Sequence, residues 1–207
     1  MPKNRTIRVA VIGAGPAGQA HAFGFRNASM AEDLSDIDII LDTICDPNVE
    51  LATKVAKKYG FENVAADVQE IVDNLDIEVV SMALPNFPSV FVMGSLLRAG
   101  KNVLGEKPLD RSGAEAEELA AIDKESGTIA AVGFSYRRIP ALAQLKDAVQ
   151  SGAIGEPFFV RSHFYADYAL DPTTPMSWRF DQEASGGGTL LDMSPHAIDA
   201  LSYVLGN

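Results

Sequence analysis

The stretch Ile7-Arg8-Val9-Ala10-Val11-Ile12-Gly13-Ala14-Gly15-Pro16-Ala17-Gly18 decides the fold. Ile7 to Ile12 is a short, mainly apolar run ending at a glycine, the pattern of a strand buried on both faces. Gly13, Gly15 and Gly18 then take the Gly-x-Gly-x-x-Gly spacing, which carries meaning only between a strand and a helix. That context is present here. The first glycine permits a tight turn, the second lets the backbone approach a pyrophosphate, and the third lets helix and strand pack closely. A helix opening at Pro16 offers free N–H groups and the positive end of its dipole to phosphate. Gly13, Gly15, Pro16, Ala17 and Gly18 are therefore candidate dinucleotide-binding residues, against the plainer alternative of a structural glycine turn. Ala17, Ala20 and Gly24 recur at helical spacing and are expected to face the sheet.

Outward from this loop, strands and helices alternate. Ile37 to Cys45 reads as a second strand, preceded by an extended loop from Met30 to Asp36 and followed by a helix from Pro47 to Tyr59, closed by Gly60. Asp67 caps a helix through Asn74, and Val79 to Ala83 is a further strand. A helix from Phe87 to Ala99, a strand from Asn102 to Leu104, a helix from Ser112 to Ser126 and a strand from Ile129 to Phe134 complete the pattern. Such alternation implies parallel crossovers and an α/β, doubly wound domain over residues 1–134. After it, Pro140 to Gln150 reads as a helix, and Phe158 to Tyr168 alternates in part, as a one-sided antiparallel strand would. Leu191 to Leu205 carries a final helix. Residues 135–207 thus read as a partial second domain.

Composition narrows the possible functions. The 207 residues carry a formal net charge of −11, which argues against nucleic acid, whose binders need a basic stripe. No apolar run approaches the ~18 residues of a membrane span. The lone cysteine, Cys45, leaves no intrachain disulfide and fits a reducing cytoplasm. Three histidines and one cysteine give no metal-ligand spacing.

The candidate chemistry lies in Glu106-Lys107-Pro108 and in Asp192-Met193-Ser194-Pro195-His196. Lys107 follows the carboxyl end of a parallel strand, the edge where open α/β sheets bind ligands. Its ammonium could stabilise a developing alkoxide or polarise a carbonyl, although a lysine before proline is ordinarily just solvated. His196 suits the proton transfer that accompanies hydride transfer from an alcohol. Asp192, four residues earlier, could orient the imidazole or merely cap a helix. Asp46, at the end of the second strand, is the candidate reader of an adenosine 2′-hydroxyl and would repel a 2′-phosphate. It points to NAD, with NADP possible, unless it only forms a turn before Pro47. Leu84, Pro85 and Asn86 are candidates to line a nicotinamide ribose. Glu106 either meets the nicotinamide side or anchors its loop. Arg137, Trp178, Arg179 and Asp199 are candidate substrate contacts, with surface or interface roles as alternatives. His21 reads as packing and His163 as structural. Asp42, a charge in the middle of a strand, has no evident partner in the sequence.

These ordered motifs resemble the glucose–fructose oxidoreductase, inositol dehydrogenase and MocA family. The similarity runs through Gly13-x-Gly15-x-x-Gly18-x-x-His21, Cys45-Asp46-Pro47, Leu84-Pro85-Asn86, Glu106-Lys107-Pro108, Gly133-Phe134-x-x-Arg137, Ser177-Trp178-Arg179 and Gly186-Gly187-Gly188-x-Leu190-x-Asp192-x-x-x-His196-x-x-Asp199. The resemblance implies a Rossmann domain followed by a mainly antiparallel sheet domain, and a Lys107, Asp192, His196 catalytic set. It implies an NAD-dependent oxidoreductase acting on a sugar, inositol or related polyol, as an inositol 2-dehydrogenase does. It further implies a homo-oligomer, dimer or tetramer. An NAD-dependent glycosidase and a non-catalytic dinucleotide sensor are the alternatives within it. Ser89 stands where the family often has His, and Ser194 where Gly is common. Family chains usually continue well beyond position 207, so a second sheet short of strands is expected.

Overall fold

The apolar runs of the first two-thirds of the chain pair into one parallel sheet. The computed structural model describes residues 5–85, 89–109, 112–167, 170–181 and 185–206. The strands β1 (Arg5–Ile12), β2 (Ile37–Cys45), β3 (Asn63–Ala65), β4 (Val79–Met82), β5 (Asn102–Gly105) and β6 (Ala130–Val132) lie in the order β3-β2-β1-β4-β5-β6. Winding reverses between β1 and β4, the switch point of a doubly wound sheet. Helices α1 (Pro16–Asn27), α2 (Val49–Tyr59), α3 (Gln69–Asp73), α4 (Ser89–Arg98) and α5 (Gly113–Ser126) make the crossovers.

Side chains that alternate along each strand serve two cores. Ala10, Ile12, Cys45, Val80 and Met82 pack with Ile71 of α3, Leu96 and Leu97 of α4, and Leu119 and Ile122 of α5. Val11, Leu41 and Ile44 pack with Ala22 of α1 and with Ala52, Val55 and Ala56 of α2. Leu41 and Ile44 share a face although three positions separate them. The β1–β2 register slips there, with Val9 opposite Leu41 and Ala10 opposite Thr43, which leaves Asp42 as the extra residue of a bulge.

The bulge explains how a mid-strand carboxylate is buried. Asp42 is 2% exposed. It accepts hydrogen bonds from Arg8 Nε at 2.5 Å, Thr43 Oγ1 at 2.6 Å and Asn63 Nδ2 at 3.4 Å. Arg8 is also paired with Glu62. Burial pushes the Asp42 carboxyl up, but the hydrogen bonds of Thr43 and Arg8 and the charge of Arg8 hold it, on balance, below the usual carboxylate range.

Several local expectations shift. Helix α2 begins at Val49, after Asn48, whose Oδ1 accepts from Leu51 N at 3.0 Å; Pro47 lies outside it. Ser112 caps α5 as expected, accepting from Glu115 N at 3.3 Å. Two short 3₁₀ turns, Ala28–Met30 and Glu32–Leu34, lie just before and within the loop expected from Met30 to Asp36. In α1 the buried residues are Gly18 and Ala22, not Ala17, Ala20 and Gly24, because close contact at Gly18 sets the rotation of the helix. Phe87, expected in α4, lies outside the described residues.

The chain divides into two compact units, Met1–Val132 and Gly133–Asn207. In the second, α6 (Pro140–Gln150) packs against the helix Ser194–Leu205. The final helix expected from Leu191 is two helices, Thr189–Asp192 and Ser194–Leu205, broken at Met193. The strand expected at 158–168 is not formed over its described residues, and Phe158, Phe159 and Tyr165 are exposed. Alternating side chains do not make a strand unless a neighbouring backbone pairs with it, and the described residues of this unit supply none.

Replacing Asp42 with Ala should lower unfolding free energy by about 2–4 kcal/mol, since Arg8 loses a buried partner. The folded carboxyl titrates below its unfolded value, so its contribution is full above the unfolded pKa and fades as pH falls toward the folded one. Denaturant unfolding of wild type and Asp42→Asn should therefore differ clearly at pH 7, with a gap that narrows as pH falls below the usual carboxylate range. An unchanged gap would refute the linkage.

Candidate functional site

Contact distances distinguish the three glycines after β1. A β-carbon at Gly18 would stand 1.7 Å from the Gly13 carbonyl oxygen, and one at Gly13 would stand 2.4 Å from that of Ala83, after β4. Gly13 also has φ 98°, a backbone that favours glycine. Its N–H donates to Cys45 O at 2.8 Å, and Ala83 N donates to Ile12 O at 2.8 Å, so the loop is held between β2 and β4. Gly15 is different. A β-carbon there would meet nothing within 4 Å, although Gly15 is the N-cap residue of α1 with Pro16 directly after it. A side chain is thus missing at a helix N-terminus where the protein itself does not require it, the arrangement that close approach of a phosphate demands. The loop fits a dinucleotide pyrophosphate.

Asp46 sits beside this loop. Its Oδ2 accepts from Ala14 N at 2.8 Å, and its Oδ1 accepts from Asn48 N at 2.8 Å. It therefore forms the turn before α2 and also touches the glycine loop. The turn-forming role weighed from the sequence is therefore present, and the carboxylate keeps further lone pairs.

Across the switch point, Leu84 and Glu106 line a small crevice with Met82 and Gly105 at the carboxyl ends of β4 and β5. Pro85 is exposed next to it, and Asn86 lies outside the described residues. Glu106 N donates to Met82 O at 3.2 Å, and Glu106 Oε2 accepts from Lys107 N at 3.3 Å. Lys107 is half-buried at this edge. Sequence reasoning missed one participant here. His21 is not a packing residue: its Nε2 lies 3.0 Å from Glu106 Oε1 and its Nδ1 lies 2.7 Å from Ser81 Oγ. Its partners are 85 and 60 residues away, so only its place in the motif ending at His21 could have flagged it. Cys45 is no nucleophile, because burial pushes its thiol up to about 11.

In the second unit, Asp192 is buried and accepts from Arg179 Nε at 3.2 Å. Arg179 also lies over the Trp178 ring at 4.6 Å. The imidazole of His196 stacks against Tyr136 at 4.5 Å and Phe164 at 5.4 Å, an aromatic setting the sequence did not reveal. Arg137 and Asp199 are paired with each other: Arg137 Nε donates to both carboxylate oxygens of Asp199, at 3.0 and 2.9 Å. Asp199 is 8% exposed and does not face solvent. This pair joins the turn Ser135–Arg138 to the helix that carries His196. His163 is exposed, with Tyr165 Oη 3.0 Å from its Nδ1.

Comparison with known proteins agrees with this geometry. Residues 7–134 match the oxidoreductase family with NAD-binding Rossmann fold, and residues 142–207 match the Gfo/Idh/MocA C-terminal domain. The chain is 35% identical over 202 residues to levoglucosan dehydrogenase of Pseudarthrobacter phenanthrenivorans, covering 98% of this chain and 52% of that protein. It is 28% identical over 200 residues to myo-inositol 2-dehydrogenase of Thermotoga maritima, covering 97% and 55%. A solved levoglucosan dehydrogenase in complex with NADH and L-sorbose superposes with a TM-score of 0.93 at 34% identity, covering 98% of this chain and 54% of that one. The chain belongs to the Gfo/Idh/MocA oxidoreductase family, and its first unit carries that family's NAD-binding Rossmann fold. It spans about half the length of the curated relatives it matches. No helix among the described residues is long and apolar enough to cross a membrane.

Gly15→Val should fold with an unchanged melting temperature and lose NAD binding in calorimetric titration, since its side chain would occupy only the phosphate approach. Gly18→Ala should instead destabilise the fold by about 2–4 kcal/mol. Wild-type NAD affinity in Gly15→Val would refute the loop's assignment.

Proposed function

We propose that this protein transfers a hydride between NAD and a hydroxyl-bearing carbon of a sugar, inositol or related polyol. One observation carries the reading: Gly15, Asp46 and the Glu106-Lys107 turn all stand at the carboxyl edge of one sheet, on the two sides of its switch point. An open α/β sheet binds its ligands at that edge. The carboxylate of Asp46 disfavours a 2′-phosphate by charge, which supports NAD over NADP. The bound dinucleotide would supply the hydride acceptor at its nicotinamide ring.

This chain's residues would supply the proton chemistry. Lys107 brings an ammonium to stabilise the negative charge that develops on the reacting oxygen. His196 takes the substrate hydroxyl proton in oxidation and returns it in reduction. Asp192, itself held by Arg179, orients the imidazole and stabilises its charged form. The ring stack of Tyr136 and Phe164 fixes the plane in which His196 can accept that proton. Arg137 and Asp199 enter as a clamp for the helix carrying His196, with the carboxylate buried, rather than as free substrate contacts. Trp178 and Arg179 remain candidates for sugar contact, because an aromatic plane and a guanidinium suit a ring of hydroxyls. A cytoplasmic setting and assembly into a homo-oligomer belong to the same proposal, the latter supported by exposed Phe158, Phe159 and Tyr165.

With NAD and a panel that includes levoglucosan and myo-inositol, the protein should form reduced nicotinamide with at least one member. Lys107→Ala and His196→Ala should each lower kcat by about 10²- to 10⁴-fold while NAD affinity stays within error. Wild-type turnover in either variant, or no reduction across the panel, would contradict the proposal.

A further inference from the structure

His21 is the single histidine of the first unit. Its side chain is 16% exposed, and both of its ring nitrogens have partners. An ionised carboxylate can only accept, so Nε2 carries the proton toward Glu106. In the neutral ring Nδ1 is then the acceptor, and the fully buried Ser81 hydroxyl donates to it. The Glu106 carboxylate thereby selects the tautomer, and Ser81 donates to the ring nitrogen that this tautomer leaves as an acceptor. The three residues come from α1, from β4 and from the turn after β5. One imidazole therefore links the helix that opens at the glycine loop to the turn that carries Lys107.

The place of that link in the sheet gives it a direction. A doubly wound sheet takes a dinucleotide as two halves across its switch point. The glycine loop and Asp46, after β1 and β2, lie on one side of it. Glu106, after β5, lies on the other, where the crevice lined by Met82, Leu84 and Gly105 opens. A histidine that only filled space in α1 would have no bearing on which half of the ligand is held.

Resting on the dinucleotide site proposed above, we infer that His21 is a positioning residue for the nicotinamide ring. It holds the Glu106 carboxylate and the turn into Lys107 in one orientation, and leaves the ADP half to the glycine loop and Asp46. Ser81 acts through His21, and His21 acts through Glu106.

Calorimetric titration with NAD and with ADP-ribose, which lacks the nicotinamide, tests this. His21→Ala should weaken NAD binding roughly tenfold and leave ADP-ribose binding nearly unchanged. His21→Gln, whose amide can still donate to Glu106, should recover most of the loss. In the Glu106→Ala background, His21→Ala should add no further loss, because the two act as one unit. If His21→Ala does not fold, Glu106→Ala carries the same comparison, with the same selective loss of NAD affinity expected. Unchanged NAD affinity in a folded variant, or equal losses for NAD and ADP-ribose, overturns the positioning role and leaves the dinucleotide reading standing. Binding of neither ligand by the wild type overturns that reading, and the inference with it.

Discussion

A β-carbon cannot exist at position 18: it would lie 1.7 Å from the carbonyl oxygen of Gly13. That exclusion brings the first turn of α1 directly onto the end of β1, at the point where the sheet's winding reverses. Gly13, in turn, is pressed against Ala83 beyond β4. With both neighbours fixed, the helix N-terminus has one orientation, and Gly15 is the position left facing away from protein. Residues more distant in sequence then fall into place. Asp46 bonds to the loop amide of Ala14, and His21, one turn further along α1, reaches Ser81 and Glu106.

The interior of the sheet and its carboxyl edge use charge differently. Within β1 and β2, Arg8, Asp42 and Glu62 form a closed group whose hydrogen bonds are satisfied internally. Such a group stabilises a bulge and sets which side chains face which core. At the carboxyl edge, polar groups are shared across elements that have no other reason to meet: a loop amide with Asp46, an imidazole with Glu106. Polar side chains there are held yet keep unused hydrogen-bonding capacity, which is what recognition of a polar ligand requires. In the second unit, Arg137 with Asp199 follows the first pattern, while His196, in mutual contact with two aromatic rings, follows neither.

Much of this was legible in the sequence because its causes are local. The apolar runs at 9–12 and 79–82, the glycine spacing and the Ser112 cap each signal their element within a few residues. The features that escaped depend on distant partners. Strand β3 has three residues and exists because β2 offers its edge. Asp42 was opaque because its bulge is a property of the β1–β2 register, not of either strand alone. His21 looked like packing because Ser81 and Glu106 reach it only after the sheet has formed. The reverse error occurred at Phe158 to Asp167, where alternation suggested a strand that no described neighbour pairs with. Met193 divides what reads as one helix, and the signal in the sequence for that break is Pro195, which suits the first turn of a helix rather than its interior.

The most direct measurement is a crystal structure of this protein grown with NAD. The expected result places the pyrophosphate against the backbone at Gly15 and the start of α1, the adenosine ribose hydroxyls on Asp46, and the nicotinamide toward Glu106. A dinucleotide bound anywhere else on the chain would contradict the assignment of the carboxyl edge as the site.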